Sequence, residues 1–156
     1  MSAAAQAGGP GGGSPPVHFN GVLIADTSVW QRTNHPDLRE PWAQALRAGT
    51  IATCSLVTLE LLYSTRNADE FRAVEADQAL LRDVQVTVSV QRAAIGALRA
   101  LAEIAPRHHR VALADALIAA AAQEAGLGVL HYDHHYHRLA EVLSFRSCWA
   151  APPGTL

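Results

Sequence analysis

Residues 22–30, "VLIADTSVW", run Val22, Leu23, Ile24 and Ala25 straight into Asp26 and then into Thr27 and Ser28. An apolar run with no polar alternation reads as a strand covered on both faces, as in the middle of a parallel sheet. A carboxylate at its end has two explanations. Asp26 caps whatever follows, or it belongs to a site assembled from distant segments.

Outward from this strand, short apolar runs alternate with helical stretches, the pattern of a parallel sheet with helices on both faces. "HPDLREPWAQALRAG" (35–49) reads as a helix ending at Gly49, and "TIATC" (50–54) as a short strand. Ser55 is the expected N-cap of "LVTLELLYSTR", where Leu56, Leu59, Leu62 and Tyr63 recur at helical spacing. Asn67 and Glu70 form a capping-box pattern, which predicts a helix to about Asp83. "VQVTVSV" (84–90) alternates like a strand or extended connection, and "QRAAIGALRALAEIA" (91–105) returns to helix until Pro106. The Ala-rich "ALADALIAAAAQEAGLG" is a helix with Gly126 and Gly128 just past its end. "GVLHYD" (128–133) is a second buried strand finishing on Asp, followed by a short helix "HRLAEVL" and a last strand "FRSCWA". The expected fold class is α/β: one domain over residues 19–152 with a mainly parallel central sheet and helices on both faces.

Composition narrows the function. A chain of 156 residues can bury one real core and is short for two domains. Its formal net charge is -2 and every Lys/Arg cation is Arg, so a nucleic acid would have to be held by a local Arg patch. Cys54 and Cys148 make neither a disulfide framework nor a C-x-x-C motif, which suits a cytoplasmic protein with reduced thiols. The Gly-, Pro- and Ala-rich residues 1–18 read as a disordered leader without signal-peptide character, and 153–156 as a flexible tail. No apolar run is long enough to span a bilayer, and no membrane association is expected.

Parallel strands deliver their C-terminal ends to one edge, where the following helices begin. Asp26 and Asp133 stand at such strand ends. Asp115 opens the Ala-rich helix on the stripe continued by Ile118, Ala119 and Ala122. Glu60 interrupts an apolar helical stretch and is expected on its inward face. Each Asp alone is also a plausible cap or helix-dipole partner. Together the four would repel, at about 4 kcal/mol for one pair roughly 4 Å apart at an effective dielectric near 20. A divalent cation relieves this, and oxygen-only ligands select Mg²⁺ or Mn²⁺, suited to phosphoryl chemistry on a nucleic acid or nucleotide.

"VLIADTSVW", "SLVTLELLYSTRN" and "HRVALADALIAAAAQEAGLGVLHYDHHYHRLAEV" together resemble the PIN-domain ribonuclease toxins of VapC type, over about residues 21–152. The resemblance implies an acidic quartet of Asp26, Glu60, Asp115 and Asp133, with Thr27 or Ser28 as the small hydroxyl residue beside the first acid. It also implies Mg²⁺- or Mn²⁺-dependent endoribonuclease activity that halts translation by cutting tRNA or rRNA. The implied partners are a VapB-type antitoxin and a second copy of the chain, as a homodimer or a larger toxin–antitoxin assembly. Many family members carry a further acid two positions after the fourth, in a D-x-D-F-like pattern. This chain has His135 and Tyr136 there, so one well-held ion is expected, bound by Asp26, Asp115 and Asp133, with Glu60 orienting water.

Residues around the quartet have less specific readings. His131, His134, His135 and His137 could suggest zinc, but no Cys accompanies them and a strand-turn-helix would point them apart. His135 is a candidate for RNA contact or the metal's outer shell. Arg107 and Arg110 suit phosphate contact, and Trp30 could stack on a base or simply pack in the core. Two other classes compete. A binding module without activity would have little use for concentrated negative charge where RNA must come. A phosphatase with Asp26 as nucleophile would commonly carry a second acid two residues later, where Ser28 stands, and a downstream Lys.

Overall fold

The computed structural model describes residues 19–156, so the leader expected at 1–18 lies outside the described residues. Five strands form one sheet: β1 Leu23–Ala25, β2 Ile51–Cys54, β3 Arg82–Val84, β4 Gly128–His131 and β5 Arg146–Trp149. Their order is β3-β2-β1-β4-β5, and all four pairings are parallel. The connections carry α1 Thr27–Trp30, α2 Pro36–Arg47, α3 Ser55–Tyr63, α4 Ala68–Ala79, α5 Val88–Ile104, α6 Leu113–Ala125 and α7 His135–Leu139. This is the expected α/β class. "Mainly parallel" becomes entirely parallel for the described strands.

Alternate strand residues face opposite sides of the sheet and therefore feed two cores. Leu23, Ala25, Ile51 and Leu130 pack with Val29 of α1 and Leu38, Trp42 and Ala45 of α2. Ile24, Ala52, Cys54 and Val129 pack on the other face with α3, α5, α6 and α7. Because β1 is buried on both sides, it needs the uninterrupted apolar run that its sequence shows. The chain leaves β1 toward β2 and β3, then resumes on the opposite side with β4 and β5. The topological switch thus falls between β1 and β4, whose carboxyl ends open the crevice where ligands bind in such sheets.

Several boundaries differ from the sequence reading for local reasons. α3 begins at Ser55 itself, with Cys54 at the cap position and no side-chain capping bond. Asn67 does cap α4 by accepting from the Glu70 amide (2.9 Å), but Glu70 returns its carboxylate to the Arg66 amide and not to Asn67. α4 stops at Ala79, because Arg82–Val84 is taken as the sheet-edge strand β3. The alternation in "VQVTVSV" misleads: Thr87 accepts from the Val90 amide and starts α5 at Val88, with Val90, Ala94, Ala97 and Leu101 buried at helical spacing. The short helix expected at 137–143 begins two residues earlier, at His135. Residues 153–156, expected to be free, are tied back, since the Tyr132 hydroxyl accepts from the Thr155 and Leu156 amides at 2.7 and 2.9 Å. No helix among the described residues is long and apolar enough to cross a membrane.

Gly128 opens β4 in a place without room for a side chain. A Cβ there would lie 2.6 Å from a Leu23 methyl and 2.8 Å from the Arg146 carbonyl oxygen. Gly96, inside α5, would meet nothing within 4 Å. Gly128→Ala should therefore destabilise by about 1–3 kcal/mol through overpacking, while Gly96→Ala should stabilise by roughly 0.5–1 kcal/mol through helix propensity. Urea unfolding midpoints of the two variants should move in opposite directions.

Candidate active site

Asp26 follows β1 directly, and its amide donates to the Leu130 carbonyl of β4 (2.9 Å), which ties the ends of the two central strands together. The two explanations offered for this residue turn out to be compatible. As the N-cap of α1, its Oδ2 accepts from the Ser28 amide (2.9 Å) and the Ser28 hydroxyl (2.5 Å). Its Oδ1 faces the other way and accepts from the Tyr136 hydroxyl at 2.8 Å. Both oxygens are thus engaged in holding the carboxylate still, which does not suit a nucleophile. The Ser28 hydroxyl also accepts from the Tyr132 amide (2.9 Å), so the expected small hydroxyl residue links the first acid to the segment carrying Asp133.

Asp115 lies in the first turn of α6 and is buried, with Ile118, Ala119 and Ala122 continuing its face as the spacing predicted. One oxygen lies 3.4 Å from the Tyr136 hydroxyl and the other 2.9 Å from His135 Nδ1. Burial, and then the neighbouring charge of Asp26, push its carboxyl up to about 7, while the bond to His135 pulls the other way. Asp133 stands two residues beyond β4, half-buried, and accepts from the His135 amide at 2.9 Å, so it caps the entry to α7. Ligand atoms of Asp115, Asp133 and His135 all lie within 4.8 Å of one another, the one such group among the described residues. Asp26 belongs to the same charged pocket, but it is joined to this trio through Tyr136.

Glu60 departs from expectation. It is exposed, with Leu59 and Tyr63 beside it 62% and 92% exposed, so the apolar stripe of α3 is largely surface and only Val57 is buried. Its carboxylate is fixed by the Thr27 hydroxyl, which donates at 2.7 Å. Thr27 and Ser28 therefore divide the hydroxyl work, one holding Glu60 and the other Asp26. A groove of about 620 Å³ runs beside this pair, lined by Thr27, Trp30, Leu59, Glu60, Tyr63 and Ser64 among others. Trp30 is half-buried: its indole N–H donates to the Ala25 carbonyl (3.2 Å) and its ring meets Trp42 edge-on.

The basic residues are peripheral. Arg107 and Arg110 are exposed in the loop before α6, and Arg107 has a positive φ of 64°. That loop reaches the site through the Ala112 amide, which points at His135 Nδ1 from 3.1 Å. The histidines separate as their alternation implies. His131 is fully buried, stacked on Tyr136, and burial lowers its pKa to about 4. Its Nδ1 accepts from the Asp133 amide, so Nε2 carries the proton toward the Ser147 hydroxyl (2.7 Å). His134 and His137 are exposed.

Tyr136 is the residue that sequence reasoning missed. It is fully buried, and its hydroxyl lies between Asp26 and Asp115. Desolvation and the two adjacent carboxylates raise its pKa well above the ordinary value, so it acts as a donor. The one available signal was a hydroxyl-bearing ring at a position that reads as apolar in a D-x-D-F-like pattern. Arg32 was also missed: it donates to the Ser28 carbonyl (2.7 Å) and covers the Tyr132 ring, bracing the turn below Asp26.

Comparison with known proteins identifies the family. The PIN domain family model matches residues 23–142. Ribonuclease VapC18 of Mycobacterium tuberculosis is 38% identical over 136 residues, covering 86% of this chain and 99% of that protein. Ribonuclease VapC51 of the same organism is 35% identical over 133 residues, covering 85% and 96%. Among solved structures, the toxin–antitoxin complex VapBC from Salmonella typhimurium, bound to DNA, contains a chain that aligns with a TM-score of 0.62 at 20% identity, covering 84% of this chain and 99% of that one. A chain of VapBC-5 from Mycobacterium tuberculosis aligns at 0.58 and 22%, covering 82% and 98%. The structural likenesses establish a shared fold; with the family match and the sequence identities, they place this chain in the VapC family of PIN-domain ribonucleases.

Proposed function

We propose that the protein is the toxin of a toxin–antitoxin pair, an endoribonuclease that uses a divalent cation to hydrolyse phosphodiester bonds of structured RNA, tRNA or rRNA, and so inhibits translation. The observation that carries this reading is the crowding of Asp26, Asp115 and Asp133 at the β1/β4 switch, where burial and then the charge of Asp26 push the Asp115 carboxyl up to about 7. The donor set fits a hard or borderline divalent ion, with Asp115 and Asp133 near enough to hold it and the charge of Asp26 beside Asp115. When bound, the cation supplies positive charge to the scissile phosphate and acidifies nearby water.

The chain's own residues do the remainder. Tyr136 keeps Asp26 and Asp115 at fixed separation. Glu60, immobilised by Thr27 yet open to solvent, is placed to accept a proton from an attacking water. The groove beside it offers Trp30 and Tyr63 faces for unstacked bases, and the exposed Arg107 and Arg110 offer phosphate contacts from the loop before α6. Exposed Leu59 and Tyr63 are also available to a VapB-type antitoxin, in keeping with the toxin–antitoxin complexes that share the fold. A homodimer, alone or within a larger toxin–antitoxin assembly in the cytoplasm, completes the proposal.

With Mg²⁺ or Mn²⁺ the purified chain should cut RNA to 5'-phosphate and 3'-hydroxyl ends. EDTA or Asp26→Asn should abolish the cleavage, and 2',3'-cyclic phosphate ends, read by fragment-end sequencing, would refute hydrolysis by water. Tyr136→Phe should lower kcat about 10–100-fold with little change in KM, since it releases Asp26 and Asp115 without touching substrate; equal loss in both parameters would argue for a merely structural ring. Because Asp115 has its carboxyl raised in the folded state, its ionisation costs stability as pH climbs from near 4 through 7. In metal-free protein Asp115→Asn should therefore raise stability at pH 8, by about 4 kcal/mol at most at about 1.4 kcal/mol per pKa unit, and by clearly less at pH 5, where only part of that cost is present. Denaturant titration at the two pH values reads the difference.

A further inference from the structure

His135 occupies a position where a carboxylate would complete an all-oxygen ligand set, and its geometry is that of a donor. Nδ1 lies 2.9 Å from Asp115 Oδ2 and 3.7 Å from Asp133 Oδ1. Two ligands at right angles about an ion roughly 2.1 Å away sit about 3 Å apart, and two opposite ligands about 4.2 Å apart. These separations, and the 4.8 Å that bounds all three ligand atoms, lie close to the range a single ion needs.

The hydrogen bonding of this nitrogen is unresolved within the protein itself. The Ala112 amide points its N–H at Nδ1 from 3.1 Å, which requires a lone pair there, whereas an ionised Asp115 oxygen at 2.9 Å requires a proton there. One imidazole nitrogen cannot offer both. A cation between His135, Asp115 and Asp133 takes the lone pair and both carboxylates together, and the Ala112 amide, whose N–H then loses Nδ1 as its acceptor, turns aside. The ring is already held for this: Asp133 accepts from the His135 backbone amide, which sets the start of α7 and the direction of the side chain.

We propose that His135 ligates the metal directly through Nδ1, and that the resulting Asp115–Asp133–His135 set selects Mn²⁺ over Mg²⁺. This rests on the reading of the protein as a divalent-metal nuclease and specifies its ion. Carboxylates serve both ions, but imidazole binds the later first-row metals far better than it binds Mg²⁺.

Calorimetric titration of the full-length chain with Mn²⁺ and with Mg²⁺, and pulsed electron paramagnetic resonance of the Mn²⁺-loaded protein, test this without reference to activity. Mn²⁺ should bind at least about tenfold more tightly than Mg²⁺, and the spectrum should show imidazole nitrogen coupling. His135→Asp should abolish the coupling and bring the two affinities together. Mn²⁺ bound without nitrogen coupling, or coupling and preference retained in His135→Asp, overturns the proposal. Should that variant not fold, wild-type protein labelled with the heavier nitrogen isotope in histidine still decides, since the coupling must change with the isotope. Failure of both ions to bind defeats the metal-nuclease reading as a whole. Tight binding with RNA cleavage and no nitrogen coupling defeats only the assignment of His135.

Discussion

The arrangement depends on a single phenol. Tyr136 brings a buried hydroxyl to two carboxylates that would otherwise repel each other, donating to Asp26 at 2.8 Å and standing 3.4 Å from Asp115. Those three residues come from the end of β1, the first turn of α6 and the start of α7. The same ring stacks on His131 of β4 and meets Phe145 edge-on, so the polar contact is anchored in the hydrophobic core. Burial gives the hydroxyl its value: in a low-dielectric setting an unpaired polar group is costly, and a satisfied one fixes its partners firmly. Among the described residues no buried side-chain nitrogen or oxygen lacks a partner. The buried polar groups of the site are therefore paired, while the half-buried His135 faces both an amide donor and a carboxylate.

The fold supplies the convergence. A doubly wound sheet reverses direction once, here between β1 and β4, and the loops on either side of that reversal part to leave a crevice. Asp26 and Asp133 reach it from strand ends, and Asp115 from a helix whose first turn points at the same place. Glu60 approaches from the solvent side, tied through Thr27 to the residue next to Asp26. Charge is thus graded from the buried Asp26 and Asp115 to the exposed Glu60.

Much of this was legible in the sequence because it depends on local periodicity. The uninterrupted β1, the stripe from Asp115 through Ala122 and the two strand-end acids each follow from spacing alone. What was not legible depends on tertiary competition. The alternation of Val84, Val86, Val88 and Val90 mimics a strand until Thr87 caps a helix across it, and α4 yields its last residues to an edge strand that only the sheet can recruit. Glu60 was placed inward because a stripe of Leu and Tyr beside it looked like core, yet those residues remain on the surface. Tyr136 and His135 were the hardest to read. Their meaning depends on Asp115 and Asp26, 20 or more residues away, and a ring hydroxyl within an apolar pattern gives little local sign of its use.

Asp26 has one further consequence. Its two oxygens separate two tasks: Oδ2 shapes the entry to α1, and Oδ1 meets the tyrosine that looks toward Asp115. An amide side chain can perform the first task nearly as well as a carboxylate, since Asn and Asp are comparable helix caps. Architecture and charge can therefore be inherited separately at this position. A chain that drifted from Asp to Asn here would keep its outline, its surfaces and any protein it binds, while losing the negative charge at the centre. On the proposed mechanism, an inert competitor for the same partner is a single substitution away.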